Sequence, residues 1–457
     1  MASKSKYSVM REPVHGDVYL THEELRILDT PEMQRLRGVK QLGTAYLVYP
    51  GAVHTRFDHS IGTVHMAQQM IDAINMSFEL DPAGTTRVSQ EEARVIRIAA
   101  LLHDVTHIPF GHNIEDQDGL FERHDSAYRY RLMFSSGRPL GRLLEELGIA
   151  KDIFSILVKP GTEGRREIPP FWAQIISGTI AADILDYLAR DAYFTGLRLS
   201  VDPRVTNYFK IHRATGNLYI DLAKHELLRE DILSEIVRML EARYYFSERV
   251  YYHHAKVSAG ALAARAVEAC ARAGVLREED LYDLTDDSLL RKLEETVETA
   301  DQELRSEVLN LTSRFRNRRL YKRACVFPRT ENEDAQEKMV ERYFAGDGYV
   351  ARTEVEARIS DLVRFATGQE VRVLVYCPAR AMQLKEARIH VRWPGEAELA
   401  PLSHYADRVP RLADLERSYR NLWKFYVFTD TDDARVLAKV QEIAQQEFAG
   451  ARNAYER

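Results

Sequence analysis

The sequence predicts a mainly α-helical protein, a large helical domain followed by a smaller α+β lobe. Three observations predict it. Apolar side chains recur at helical spacing through most of residues 20 to 315. Alternating β-branched and aromatic runs gather after about residue 325. The chain's 457 residues allow two or three domains, at roughly 150 residues per domain.

In chain order, helical patterns cover Asp58–Met76, Glu91–Leu102, Asp183–Phe194, Leu222–Phe246 and Ala255–Ala273. Breaks fall at Asp81-Pro82-Ala83-Gly84, at Ser135-Ser136-Gly137-Arg138-Pro139 and between Lys159 and Pro170, where Gly and Pro punctuate the pattern. A short β-like piece sits at Asn217–Ile220. Strands are expected at Val371–Tyr376, Ala387–Trp393 and Trp423–Phe428, flanked by helices at Glu354–Ala366 and Ala434–Phe448. The expected boundary therefore separates residues 1–325 from residues 326–457.

Composition excludes several classes. Apolar residues make up 45% and charged residues 29%, ordinary for a soluble globular protein. No apolar run approaches the roughly 18 residues that span a bilayer, and the N-terminus has no signal-like stretch. Cys270, Cys325 and Cys377 form no CxxC pair, which suits a reducing cytoplasm and argues against a thiolate zinc site. A net charge of −6 gives no global pull toward nucleic acid. The run Arg314–Arg323 is nonetheless densely basic. It reads either as a solvated helix end or as a surface for polyphosphate oxygens. The Walker A, GxSxG and HExxH patterns are all absent.

The chemistry-bearing residues lie in three pieces. The first is His54-Thr55-Arg56-Phe57-Asp58-His59-Ser60. The second is His103-Asp104-Val105-Thr106-His107, followed by His112, and the third is Asp183. A hard metal ion accepts imidazole and carboxylate ligands and leaves positions open for water. Neighbouring helical residues diverge by about 100°, so His103 and Asp104 grip one ion only at its rim. Further ligands must come from other helices, and His59 and Asp183 are the natural candidates.

The order His59…His103-Asp104…Asp183 resembles the HD superfamily of metal phosphohydrolases. A wider set sharpens the likeness: Pro13-Val14-His15-Gly16, Gln34-Arg35-Leu36-Arg37, Lys40-Gln41-Leu42-Gly43, Pro50-Gly51-Ala52 and Asp186-Tyr187…Ala189-Arg190-Asp191. Over roughly residues 7 to 325 the chain is similar to the deoxynucleoside triphosphate triphosphohydrolases, the group that contains the human SAM-and-HD-domain enzyme. An N-terminal SAM domain is not expected, because the HD-type sequence begins almost at once.

The resemblance implies an HD-domain helical bundle and roles for particular residues. His59, His103, Asp104 and Asp183 would ligate the metal, with Arg56 on the α-phosphate and His107 and His112 beside the reacting phosphate. His124 matches a catalytic histidine, and Glu115 stands where the family has its orienting aspartate. Gln41, Leu42, Tyr187 and Asp191 would hold the sugar, Tyr251 would crowd the 2′ carbon, and Arg243 would hold the γ-phosphate. Iron or manganese suits the ligand set best. Zinc is also compatible, and magnesium would be an additional phosphate-bound ion.

One departure matters. The family's lysine after the last metal aspartate is Ile184 here, so Arg243, with Lys256 or His254, must carry more of the triphosphate. Asp29, Gln34 and Arg37 match guanine-reading positions of an activator site, and Arg318 and Lys322 match its polyphosphate contacts. Ser8 and Arg11 stand where that site uses lysine and asparagine. The implied partners are a dNTP substrate, a nucleotide activator and further copies of the chain, as a dimer or tetramer. The alternatives are another HD-type phosphohydrolase (a nucleoside monophosphatase or a phosphodiesterase) and a non-catalytic nucleotide sensor.

Overall fold

Thr21, Thr55 and Ser89 each cap a helix through a side-chain oxygen, while an acidic residue three positions on reaches back to the cap. These reciprocal boxes satisfy two backbone donors at once and fix where three helices begin. The computed structural model describes residues 6–117, 119–199, 202–378, 388–396 and 398–455.

An antiparallel hairpin of β1 (Tyr7–Glu12) and β2 (Gly16–Thr21) precedes α1 (His22–Leu28) and α2 (Pro31–Arg35). The central layer is α3 (Arg56–Leu80), α4 (Gln90–Leu102) and the later α10 (Ala182–Thr195), with α3 packed between the other two. Between them run α5 (His112–Glu115), α6 (Ala127–Met133), α7 (Pro139–Glu146), α8 (Ala150–Leu157) and α9 (Pro170–Ile176). On α3, Phe57, Ile61, Val64, Met70 and Ile74 are all buried. At about 1.5–3 kcal/mol for each large apolar side chain, α3 is heavily anchored, and it carries the first candidate ligand at its start.

The next segment holds β3 (Phe209–Ile211), β4 (Leu218–Asp221), β5 (Ala223–Lys224), β6 (Leu227–Leu228), α11 (Glu230–Phe246), α12 (His254–Arg272), α13 (Asp286–Thr296) and α14 (Gln302–Arg316). The helix expected from Leu222 starts instead at Glu230. Arg392 pairs with Asp221, and His225 and Glu226 take positive φ, so residues 222–228 form a small hairpin. Periodicity alone does not register that tertiary tie.

The rest comprises β7 (Lys322–Pro328), α15 (Glu333–Phe344), α16 (Gly348–Thr367), β8 (Val373–Tyr376), β9 (His390–Arg392), β10 (Ala400–Pro401), α17 (Pro410–Arg420), β11 (Lys424–Thr429) and α18 (Ala434–Glu447). Of the strand expected at Ala387–Trp393, residues 390–392 are strand, and Ala387 lies outside the described residues. Strands β7, β11 and β8 make one antiparallel sheet. Strand β9 pairs in parallel with β4, in a sheet ordered β10-β9-β4-β3. Residues from both sides of position 325 therefore share a sheet, and the 325/326 boundary falls inside β7. The molecule is mainly helical, with small sheets. No helix among the described residues is long and apolar enough to cross a membrane.

Candidate metal centre and substrate pocket

His59 lies one turn into α3, and His103 and Asp104 follow the last residue of α4. Asp183 is the second residue of α10. Helix packing brings all four together. His59 Nε2 is 3.1 Å from His103 Nε2, 3.0 Å from Asp183 Oδ1 and 3.9 Å from Asp104 Oδ2. His103 Nε2 is 3.6 Å from Asp104 Oδ1 and 3.7 Å from Asp183 Oδ1. Ligands about 2.0–2.2 Å from one ion and roughly at right angles lie about 3 Å apart, so the two imidazole nitrogens stand at a ligand spacing. Two facing imidazole nitrogens and two carboxylates form a donor set that a hard or borderline cation satisfies. His59, His103 and Asp104 alone could hold a metal.

The electrostatics match this reading. Burial alone would lower the His59 pKa, but its hydrogen bonds to Asp183 and Asp186 outweigh it and push the group up to about 10. Burial raises the Asp104 carboxyl, and Arg56, His103 and His107 outweigh it and hold it well below the usual range. Both carboxylates are therefore ionised and the imidazoles are drawn toward a cationic state. Such a pocket exchanges protons for a metal ion.

Arg56 Nη1 donates to Asp104 Oδ2 at 2.5 Å, while Arg56 Nε is buried without a partner. The loop from His107 to His112 turns through left-handed backbone at Phe110 and Gly111, φ 58° and 44°. A Cβ at Gly111 would lie 2.7 Å from Arg56 Nη2, so glycine lets the loop close over the guanidinium.

His107 and His124 stack with centroids 3.8 Å apart, and both Nδ1 atoms face Glu115 Oε2, at 3.1 and 2.9 Å. Burial, and then His107, push the His124 pKa down to about 3, against the pull of Glu115. His112 stands exposed at the rim, 5.0 Å from the His124 ring, with Asp116 at 3.5 Å.

Helix α10 carries Asp183, Tyr187 and Asp191 at successive fourth positions, one face of a helix spanning about 12 Å. Asp191 is buried between His54 Nε2 at 2.9 Å and the Tyr251 hydroxyl at 2.6 Å. Leu42 is buried, and Gln41 Oε1 is buried without a partner. Arg243 lies within electrostatic reach of Tyr187, Tyr419, Tyr251 and Asp183. Lys256 Nζ donates to Tyr251 O at 3.1 Å, and Ile184 is buried.

The remaining expected positions fall in two places, Gln34 and Arg37 near α2 and Arg318 and Lys322 in a basic cleft. Gln34 bonds Leu28 O and Arg37 Nε, and Arg37 lies 3.6 Å over the Phe57 ring, whereas Asp29 is exposed. Arg318, at φ 53°, donates to Leu47 O at 2.6 Å, and Lys322 pairs with Asp432 at 3.2 Å. Sequence reasoning gave no role to His54, Arg129, Asp186 or Tyr419. Arg129 is fully buried and holds Glu115 Oε1 at 2.7 Å and Glu278 at 2.9 Å. The spacing of Asp186 and Arg190 was a usable signal for one pair, since residues four apart meet on a helix.

Comparison with known proteins agrees with this geometry. Residues 56–157 match the family described as HD domain, and residues 224–450 match the HD associated region. An uncharacterized protein of Methanocaldococcus jannaschii, MJ1154, is 33% identical over 262 residues, 57% of this chain and 49% of its own. The Homo sapiens deoxynucleoside triphosphate triphosphohydrolase SAMHD1 is 28% identical over 271 residues, 54% of this chain and 42% of its own. An uncharacterized Bacillus subtilis protein, YwfO, is 33% identical over 196 residues, 42% of this chain and 41% of its own. The chain spans less than half the length of each of these three relatives.

Proposed function

We propose, on the premise that this chain belongs to the HD-domain family, that it is a metal-dependent phosphohydrolase that cleaves deoxynucleoside triphosphates to deoxynucleoside and inorganic tripolyphosphate. One observation carries the reading: α10 presents Asp183 to the metal cluster and Asp191, two turns on, to the Tyr251 hydroxyl and His54. An ion at one end of that helix and a polar carboxylate at the other suit the phosphate and the sugar of one nucleotide. The four-residue His/Asp set fits iron or manganese, with zinc compatible and magnesium as a phosphate-bound companion.

When bound, the ion would polarise the α-phosphate and acidify a water. The residues do the rest. Arg56 holds an α-phosphate oxygen, and His107 and His112 border the phosphorus. Water adds to phosphorus, the bond to the 5′ oxygen breaks, and His124 is placed to give that oxygen its proton. In the ligand-free protein burial, and then His107, hold the His124 pKa below its ordinary value. A bound phosphate anion would raise it, and the Glu115 contact at Nδ1 leaves Nε2 as the nitrogen available to the substrate. Asp191 and Gln41 accept the 3′-hydroxyl, and Leu42 and Tyr251 leave no room at the 2′ carbon.

Ile184 favours a second reading, a phosphohydrolase of shorter phosphate chains, because its buried alkyl group replaces an ammonium that would bind the distal phosphates. One experiment separates the two. The metal-loaded protein is incubated with each dNTP singly and mixed, with ATP and with dAMP, and the products are identified by mass. Tripolyphosphate plus deoxynucleoside is expected, with ATP cleaved roughly 10- to 100-fold more slowly for one misplaced buried hydroxyl. Release of orthophosphate from dAMP, with dNTPs untouched, would establish the second reading.

A further inference from the structure

Beyond the four candidate ligands lies a buried charged cage joined to the N-terminal hairpin. Asp186, on α10, accepts from both sides. His59 Nδ1 lies 2.7 Å from Oδ2, and His15 Nε2 lies 2.6 Å from Oδ1. Arg190, one turn on, donates from Nε to Oδ2 at 2.9 Å and from Nη2 to Oδ1 at 2.8 Å. Its Nη1 reaches Glu12, the last residue of β1, and Glu12 Oε2 accepts the backbone N–H groups of Val14 and His15 at 2.9 and 2.7 Å. The side chains of Asp186 and Arg190 have no exposed surface, and that of Glu12 is 4% exposed. Gly62 on α3 makes room for the cage, because a Cβ there would overlap the Asp186 carboxylate and the Arg190 guanidinium.

We propose that Asp186 is a positioning residue for the metal ligand His59, and that the hairpin residues Glu12 and His15 hold Asp186 in place. This rests on reading His59 as a ligand. The argument is geometric. A ligating imidazole has its tautomer and ring plane set by the hydrogen bond that its other nitrogen makes. Asp186 accepts at Nδ1, which leaves Nε2 facing His103, Asp183 and Asp104. An acidic group free to rotate would not fix the ring plane. Four hydrogen bonds from three side chains leave Asp186 no such freedom. The turn at residues 12–16 thereby becomes part of the metal site, although none of its side chains is a candidate ligand.

The test measures metal binding itself. Chelated full-length protein is titrated with Mn(II), with the free ion followed by electron paramagnetic resonance, and the Co(II) form is recorded by visible absorption. His59→Ala serves as the control and should lose binding. Asp186→Asn sets an NH₂ against donors on the His59 or the His15 side and removes the carboxylate charge, and is expected to weaken Mn(II) about 10- to 100-fold, the usual effect of losing such a partner. It should also shift the Co(II) bands. His15→Ala removes one hydrogen bond to Asp186 and a ring stack on His65 at the edge of the hairpin, so it should retain the fold even if Asp186→Asn does not, and should weaken Mn(II) several-fold. Circular dichroism should be unchanged in His15→Ala. Wild-type affinity and spectrum in both variants, with binding lost in His59→Ala, would overturn the positioning role and leave the ligand assignment standing. Undiminished binding in His59→Ala would overturn both.

Discussion

His103 and Asp104 follow α4 side by side, and His59 Nε2 lies 3.1 Å from one and 3.9 Å from the other. Replacing both with alanine is expected to abolish bound metal in elemental analysis while helical circular dichroism persists, and unchanged metal content would refute the assignment. Lys256 raises a different question, about charge. Burial pushes its ammonium down to about 8, against the pull of Asp116 and Asp191. A lowered amine pKa means that the free pocket loses this cation as pH rises through 8. If Lys256 replaces the ammonium missing at Ile184, KM for a dNTP should climb above pH 8 in the wild type. Lys256→Arg should keep KM flat across that range, and a wild-type KM without any rise between pH 7 and 9 removes Lys256 from triphosphate binding. The candidates His59, His103 and Asp104 could be picked out in the sequence because an Arg-x-x-His run and a His-Asp dipeptide are local patterns, and the fold brings them together with Asp183. His54 and Arg129 were not legible as partners. Their contacts to Asp191 and Glu115 cross 137 and 14 positions and depend on how elements pack.

Among the elements, α12 and α16 are tied by two largely buried ion pairs. Arg265 bonds Glu356 through both Nη atoms, at 2.6 and 2.8 Å, and Arg352 bonds both oxygens of Glu268 at 2.5 Å. Glu356 also accepts the Val375 N–H at 2.7 Å, so the clamp reaches β8. Burial raises the Glu268 carboxyl, and Arg265, Arg352 and Arg272 outweigh it, leaving its pKa below the ordinary 4.5. A depressed carboxylate stabilises the fold above the unfolded pKa, and that stability is lost as pH falls below about 4.5. Glu268→Gln leaves Arg352 buried without its counter-charge, a loss of roughly 3–5 kcal/mol at pH 7. Urea unfolding should show this loss at pH 7 and a smaller one at pH 4, whereas equal losses at both would mean that the carboxylate's charge is not what matters. The same elements show where sequence reading stops. Helices α3, α4, α10 and α12 were legible within a few residues because their apolar period is long. The hairpin of β5 and β6 was hidden because the pair Asp221–Arg392 spans 171 positions and interrupts an otherwise helical pattern.

Over the whole molecule, the strands after about residue 325 could be read as a change of texture, but the parallel pairing of β4 with β9 could not, since neither strand encodes its neighbour. The basic run read from sequence opens onto a cleft of about 600 Å3 between α12, the end of α14, β7 and β11. Arg314, Arg318, Arg319, Lys322 and Arg323 line it, opposed by Asp430 and Asp432. Ion pairs already occupy part of that charge, Arg314 with Asp430 at 3.3 Å and Lys322 with Asp432 at 3.2 Å. Repulsion among these cations is thus partly relieved within the chain, though cations still outnumber acids in the cleft. Each charge-assisted hydrogen bond to a phosphate contributes about 1.5–3 kcal/mol. Two such bonds from a nucleoside triphosphate shared by two copies would shift an association equilibrium by roughly a hundredfold or more. Arg318 is suited to report that event to the pocket, because its bond to Leu47 O joins the cleft to the turn that follows Gln41 and Leu42. We therefore expect GTP or a dNTP to raise the sedimentation mass. Arg318→Ala with Lys322→Ala should weaken that rise while leaving bound metal unchanged. If the mass distribution is the same with and without nucleotide, and a single dNTP is hydrolysed with no activator, the run is a solvated surface. The ion pairs to Asp430 and Asp432 are then its whole function.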